Sequence, residues 1–96
     1  MVRRSSPARE RRLLSLGKNI TSWRKLQGMS AAELARRAHV TRDTLRAIEH
    51  GTGSPKIESL MSVITALGFA DHFVSGTDPF KTDSGRALAL EVIGKK

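Results

Sequence analysis

The segment Ser30–Gly51, SAAELARRAHVTRDTLRAIEHG, decides the fold, because it reads as two short capped helices on either side of a tight turn. Ser30 and Glu33 make the S-x-x-E pattern, in which two side chains satisfy N–H groups left open at a helix start, and Met29 and Leu34 stand where an apolar staple closes. A helix therefore begins at Ala31. Ala31, Leu34, Ala35 and Ala38 recur at i, i+3, i+4 and i+7, a stripe of mostly small side chains that lets another helix approach closely. Ala38, His39 and Val40 make the turn. Thr41 then caps a second helix, Asp43 lies in its first turn where the helix dipole favours an anion, and Val40 with Leu45 repeats the staple.

Around that second helix, at about 100° per residue, Thr44, Leu45 and Ile48 share one arc and Arg42, Asp43, Arg46, Ala47 and His50 share the other. One arc packs and the other faces out. The outward arc offers two guanidinium groups, a carboxylate and a methyl group, a set suited to base edges in a DNA major groove. A merely solvated helix face has a similar composition, so the arc needs support from the rest of the chain. Arg42 and Arg46 are like charges at i, i+4, which disfavours an isolated helix by about 0.2–0.5 kcal/mol; Asp43, three residues before Arg46, is placed to offset one of them.

Charge supplies part of that support. Seventeen Lys and Arg against nine Asp and Glu give a net charge of +8, which points to an anionic partner. No apolar run approaches the ~18 residues of a spanning helix, so the chain does not cross a membrane in that way. The opening MVRRSSPARERR has arginines but no apolar signal core, and the chain reads as cytoplasmic. Trp23, Phe69, Phe73 and Phe80 are the only aromatics, too few for base-stacking platforms, so duplex DNA fits better than single strands or RNA.

Catalysis and metal binding find no footing. His39, His50 and His72 are not paired at i, i+4 and have no carboxylate in a ligand pattern, and there is no Cys. No nucleophile, base and orienting group form a recognisable set, and no Gly run cradles a phosphate, so the chain reads as a non-enzyme without cofactors.

Outward from the central segment, residues 1–9 read as a mobile basic arm, either a minor-groove reader or a solubilising tail. A first helix follows from Glu10 to Gln27, with Leu13, Leu16, Ile20 and Trp23 as its core stripe, Gly17 weakening its middle and Gly28 stopping it. A fourth helix carries the stripe Ile57, Leu60, Met61, Ile64 and Leu67 up to Gly68, and Ala70–Val74 reads as a short fifth. Residues 10–76 thus make one all-α, five-helix domain, small enough to bury only ~60–65% of its unfolded surface. Residues 77–96 form a C-terminal extension for dimerisation or partner binding. Within it Leu88, Leu90 and Val92 alternate as a strand would, while Ser84 could cap a helix through Ile93; the helix is favoured.

From Leu16 to Leu67 the sequence resembles the lambda-repressor-like, Xre-type helix-turn-helix regulators. The resemblance is carried by Ile20, Arg24 and Gly28, by Ser30, Glu33, Leu34 and Ala35, by Val40, Thr41, Thr44, Leu45, Ile48, Glu49 and Gly51, and by Pro55, Leu60 and Ala66-Leu67-Gly68. It implies a sequence-specific binder of double-stranded DNA, acting as a homodimeric repressor on a two-fold operator. It implies base reading by Arg42, Asp43, Arg46 and Ala47, phosphate contacts by Thr41, Thr44, His50 and Lys56, and an ion pair between Arg24 and Glu49. Two positions depart from the family pattern. Ala31 stands where Gln usually touches the DNA backbone, and His39 stands where the turn usually has Gly. The stretch from Asp78 to Arg86 also resembles tails of HipB-type antitoxins, which implies a kinase-like toxin as an alternative partner.

Overall fold

The computed structural model describes residues 6–94. They form six α-helices and one 3-10 turn: α1 (Pro7–Leu26), α2 (Ala31–Ala38), α3 (Arg42–His50), α4 (Ile57–Leu67), α5 (Ala70–Ser75), the 3-10 turn Pro79–Lys81, and α6 (Asp83–Gly94). There is no strand among the described residues. The fold is all-α, as the periodicities require.

The ends of the helices follow from local chemistry. Ser30 Oγ accepts from Glu33 N at 3.1 Å and Thr41 Oγ1 accepts from Thr44 N at 3.1 Å, so both central helices are capped as their sequences predict. Only half of the capping box closes: the Glu33 carboxylate accepts instead from Arg37 at 2.7 Å, a charged partner one turn on. α2 stops at His39, whose backbone takes the left-handed conformation (φ 57°, ψ 40°) while Val40 N donates back to Ala35 O at 3.0 Å. His39 is the one non-glycine residue with positive φ among the described residues. α3 stops at Gly51 in the same way.

The core is built where the four longer helices of the first five meet. Ile20, Leu34, Leu45, Val63 and Ile64 are fully buried, with Met29, Ala35, Ala38, Ile48 and Leu67 around them. Fully burying each of the five large side chains contributes about 1.5–3 kcal/mol. The alanines of α2 let that helix lie close to α3 and α4.

Several boundaries and faces differ from the sequence reading. The first helix starts at Pro7, not Glu10: Ser6 caps it by accepting from Arg9 N at 3.3 Å, and proline at the first helical position lacks the N–H a helix start cannot use. The proposed arm is therefore helical over its last three positions, and its first five lie outside the described residues. On α1 only Ile20 of the expected stripe is fully buried; Leu13 and Trp23 are 40% and 44% exposed. Trp23 stacks on Phe69 of the α4–α5 junction with ring centroids 5.1 Å apart, so it lies over the edge of the core. On α4 the buried face is Val63, Ile64 and Leu67, while Ile57 in its first turn is 76% exposed. The C-terminal stretch is a helix, capped by Thr82 Oγ1 accepting from Gly85 N at 3.0 Å, not by Ser84.

α6 packs on the 3-10 turn and stands away from the core. Its direction is set by close contact: a Cβ on Gly85 would overlap the Pro79 carbonyl, and Arg86 donates to Phe80 O at 3.3 Å. Leu88, Leu90, Val92 and Ile93 are all more than 60% exposed. The radius of gyration, 16.7 Å, exceeds the ~13 Å of a compact chain of this length.

Candidate nucleic-acid interface

The outer face of α3 is held by contacts on its inner face and at its C-terminal end. Leu45 and Ile48 are sunk in the core, which turns Arg42, Asp43 and Arg46 to solvent and leaves Ala47 half-buried beside them. At the far end α1 lies directly against the α3 backbone. A Cβ on Gly17 would overlap the Glu49 carbonyl oxygen and come within 2.6 Å of the Ile48 carbonyl oxygen. A turn earlier on α1, Gly51 meets the Leu13 carbonyl in the same close manner. Two glycines thus set the approach of these helices.

A partly buried ion pair ties the same joint. Arg24 Nε donates to Glu49 Oε2 at 2.8 Å and Nη2 donates to Oε1 at 3.2 Å, while Nη1 donates to Met29 O at 3.0 Å. The side chains are 13% and 9% exposed. One guanidinium fork therefore joins α1, the chain entering α2 and the last turn of α3, with bidentate geometry that fixes orientation as well as distance.

The remaining sequence-predicted residues line the outer rim. Arg42 and Arg46 are exposed, and neither forms an ion pair among the described residues; Asp43 does not reach Arg46, contrary to the i, i+3 expectation. Their guanidinium donors are open to another molecule. Thr41 Oγ1 donates to Thr44 Oγ1 at 2.9 Å, which leaves the Thr44 hydroxyl hydrogen directed elsewhere. His50 is exposed at the last turn of α3. Lys56 is exposed at the N-cap of α4, where no side chain caps the helix. Its ammonium stands at the positive end of the helix dipole, with Glu58 the acidic residue of the same first turn. Ala31, half-buried at the start of α2, offers no polar atom where the family pattern has an amide.

Gly17 was legible only as a weak point in a helix. Its signal was its register: it shares a face with Ile20 and Arg24, and a lone small residue in such a face marks where a second helix crosses.

A helix-turn-helix family model matches residues 20–70, just over half of the chain, and spans the second part of α1 through the start of α5. The chain belongs to the Xre-type, lambda-repressor-like helix-turn-helix family of DNA-binding transcriptional regulators. No significant match was found among curated proteins or solved structures. Among the described residues no helix is long and apolar enough to cross a membrane.

Proposed function

We propose that the protein is a dimeric repressor that reads a two-fold operator with α3 in the major groove and α2 across the backbone. The observation that carries this reading is the pair of exposed arginines, without ion-pair partners among the described residues, on the first two turns of a helix whose other face is locked in the core. Arginine is the commonest bidentate partner of guanine in the major groove, so Arg42 and Arg46 read bases, with Asp43 and Ala47 completing the surface. Thr41, Thr44, His50 and Lys56 hold phosphates around it and set register. The dimer seam uses residues after Gly68, chiefly α6, whose apolar side chains stand in water in the single chain. Two-fold pairing places half-sites about 34 Å apart. The same exposed helix supports a second reading, an antitoxin whose α6 seats a kinase-like toxin.

The test is a salt titration on a duplex selected from random sequence and on its scrambled counterpart. Arg42→Ala and Arg46→Ala should each weaken the selected site by about 1–3 kcal/mol and reduce discrimination. Lys56→Ala should weaken both duplexes alike and reduce the salt slope by about 0.9. If the arginine variants weaken both duplexes equally while Lys56→Ala changes the preferred sequence, α3 is not the reading element.

A further inference from the structure

The part of α1 before Ile20 lies outside the family match, and besides bracing α3 it walls one side of a groove. The groove, of about 1010 Å³, lies between that part of α1, the end of α3, the following loop and the start of α4. We propose that this groove binds a small amphipathic organic anion, such as an aromatic sulfonate or a medium-chain carboxylate, and that its occupancy weakens DNA binding. The second half of that statement rests on the DNA-reading function proposed above.

The lining argues for the apolar part of the ligand. Leu13, Leu14 and Ile57 converge on the groove and are 40%, 47% and 76% exposed, so three large apolar side chains stand open to water around one concavity. Covering them is favourable, because apolar surface leaves water. The volume is at the upper end of the roughly 300–1,000 Å³ of small-molecule sites, which admits a two-ring or ten-carbon body. A phosphodiester backbone has no large apolar body to cover these side chains, although the groove adjoins the DNA face at Ala47 and His50.

The rim argues for the charge. Arg9, Arg11 and His50 border the groove against one carboxylate, that of Glu10. The guanidinium groups exceed the carboxylate in number, so an anionic head is favoured over a cationic or neutral one. The sign of the coupling follows from position. Ala47 and His50, both assigned to the DNA surface, also line the groove, and the loop from Gly51 to Pro55 leads directly to Lys56. A negative head group held there repels the phosphates that the adjoining surface would face. By linkage, DNA must weaken the ligand by the factor by which the ligand weakens DNA.

The experiment uses the full 96-residue chain and anilinonaphthalene sulfonate as the probe, first without DNA. Fluorescence titration should show one saturable site per chain, displaced by decanoate. Leu14→Glu and Ile57→Glu should each weaken the probe by about tenfold or more, since each removes apolar contact and adds a like charge. Arg11→Gln should weaken it less, and Leu90→Glu on α6 not at all. Circular dichroism checks that the variants are folded, and Ile57, already mostly exposed, is the safest of them. Binding that is unsaturable, or that is lost with Leu90→Glu and kept with Ile57→Glu, overturns the proposal. So does loss of the probe site as protein concentration rises into a sedimenting dimer, because a second copy then covers the groove. In the DNA arm, saturating decanoate should lower affinity for the selected duplex about fivefold or more in wild type, and not in Ile57→Glu. Unchanged affinity overturns the coupling. A protein that binds the probe but no duplex at all refutes the DNA-reading function and leaves the ligand site standing on its own titration.

Discussion

Gly17→Ala should destabilise the protein, although a helix-propensity argument says the reverse. Alanine in place of glycine in a helix interior is favoured by about 1 kcal/mol. Here the added methyl group falls on the Glu49 carbonyl oxygen, with the Ile48 carbonyl oxygen at 2.6 Å and the Glu49 carbonyl carbon at 2.7 Å. All three are backbone atoms, so no side chain can rotate out of the way, and α1 and α3 must part. Overpacking of this kind costs about 1–3 kcal/mol, and a backbone-against-backbone clash belongs at the upper end. The parted helices also stretch the Arg24–Glu49 bonds that span the same joint. After subtracting the propensity gain, a net loss of about 1–2 kcal/mol remains. For a domain this small that lowers Tm by roughly 4–16 °C. Thermal melts followed by far-UV circular dichroism measure it, with Ser15→Ala, an exposed change on the same helix, as the control. An unchanged or raised Tm for Gly17→Ala would refute the reasoning, because it would mean that α1 and α3 do not meet this closely.

Glu49→Ala should cost up to about 3 kcal/mol in chemical denaturation, because it leaves Arg24 partly buried with the Met29 carbonyl as its one remaining partner among the described residues; a loss below about 0.5 kcal/mol would show the pair to be solvent-screened. His39→Gly should raise stability by about 1 kcal/mol in the same assay, since the left-handed backbone at φ 57° is strained for any residue with a Cβ, and a loss would mean that the imidazole makes a compensating contact. Sedimentation of the full chain should show a dimer at micromolar concentration that Leu90→Glu together with Ile93→Glu dissociates; a dimer that survives truncation after Gly76 would remove α6 from the seam.

What was legible in the sequence was local. Caps at Ser30 and Thr41, stops at Gly51 and Gly68 and the stripe of α2 each depend on residues within a turn or two of one another, and the helices appear where those signals place them. The outward arc of α3 was legible for the same reason, since Leu45 and Ile48 fix which face is buried. What failed depended on where one helix passes another. Periodicity gives a helix face but not how much of its length is covered, so Leu13, Trp23 and Ile57 read as core and are exposed. Gly17 reads as a weak point, yet it marks where a backbone passes too close for a side chain, as Gly85 does at the start of α6. The helical start at Pro7 was hidden by a composition that resembles an arm, although Ser6 and Pro7 were a cap and a first helical position in plain sight.

The clamp formed by Gly17, Gly51 and the Arg24–Glu49 fork grips the last turn of α3, while the residues assigned to base reading begin at its first. α3 is therefore a lever with its tightest grip at one end. Nine residues at 1.5 Å each make it about 13 Å long, so a tilt of about 5° at the grip swings Arg42 by roughly 1 Å. A displacement of that size takes a bidentate bond to a guanine out of range. Sequence discrimination would then be tuned from the hinge side, by residues on α1 that never approach a base, and changes there should blur the preferred site before they abolish affinity.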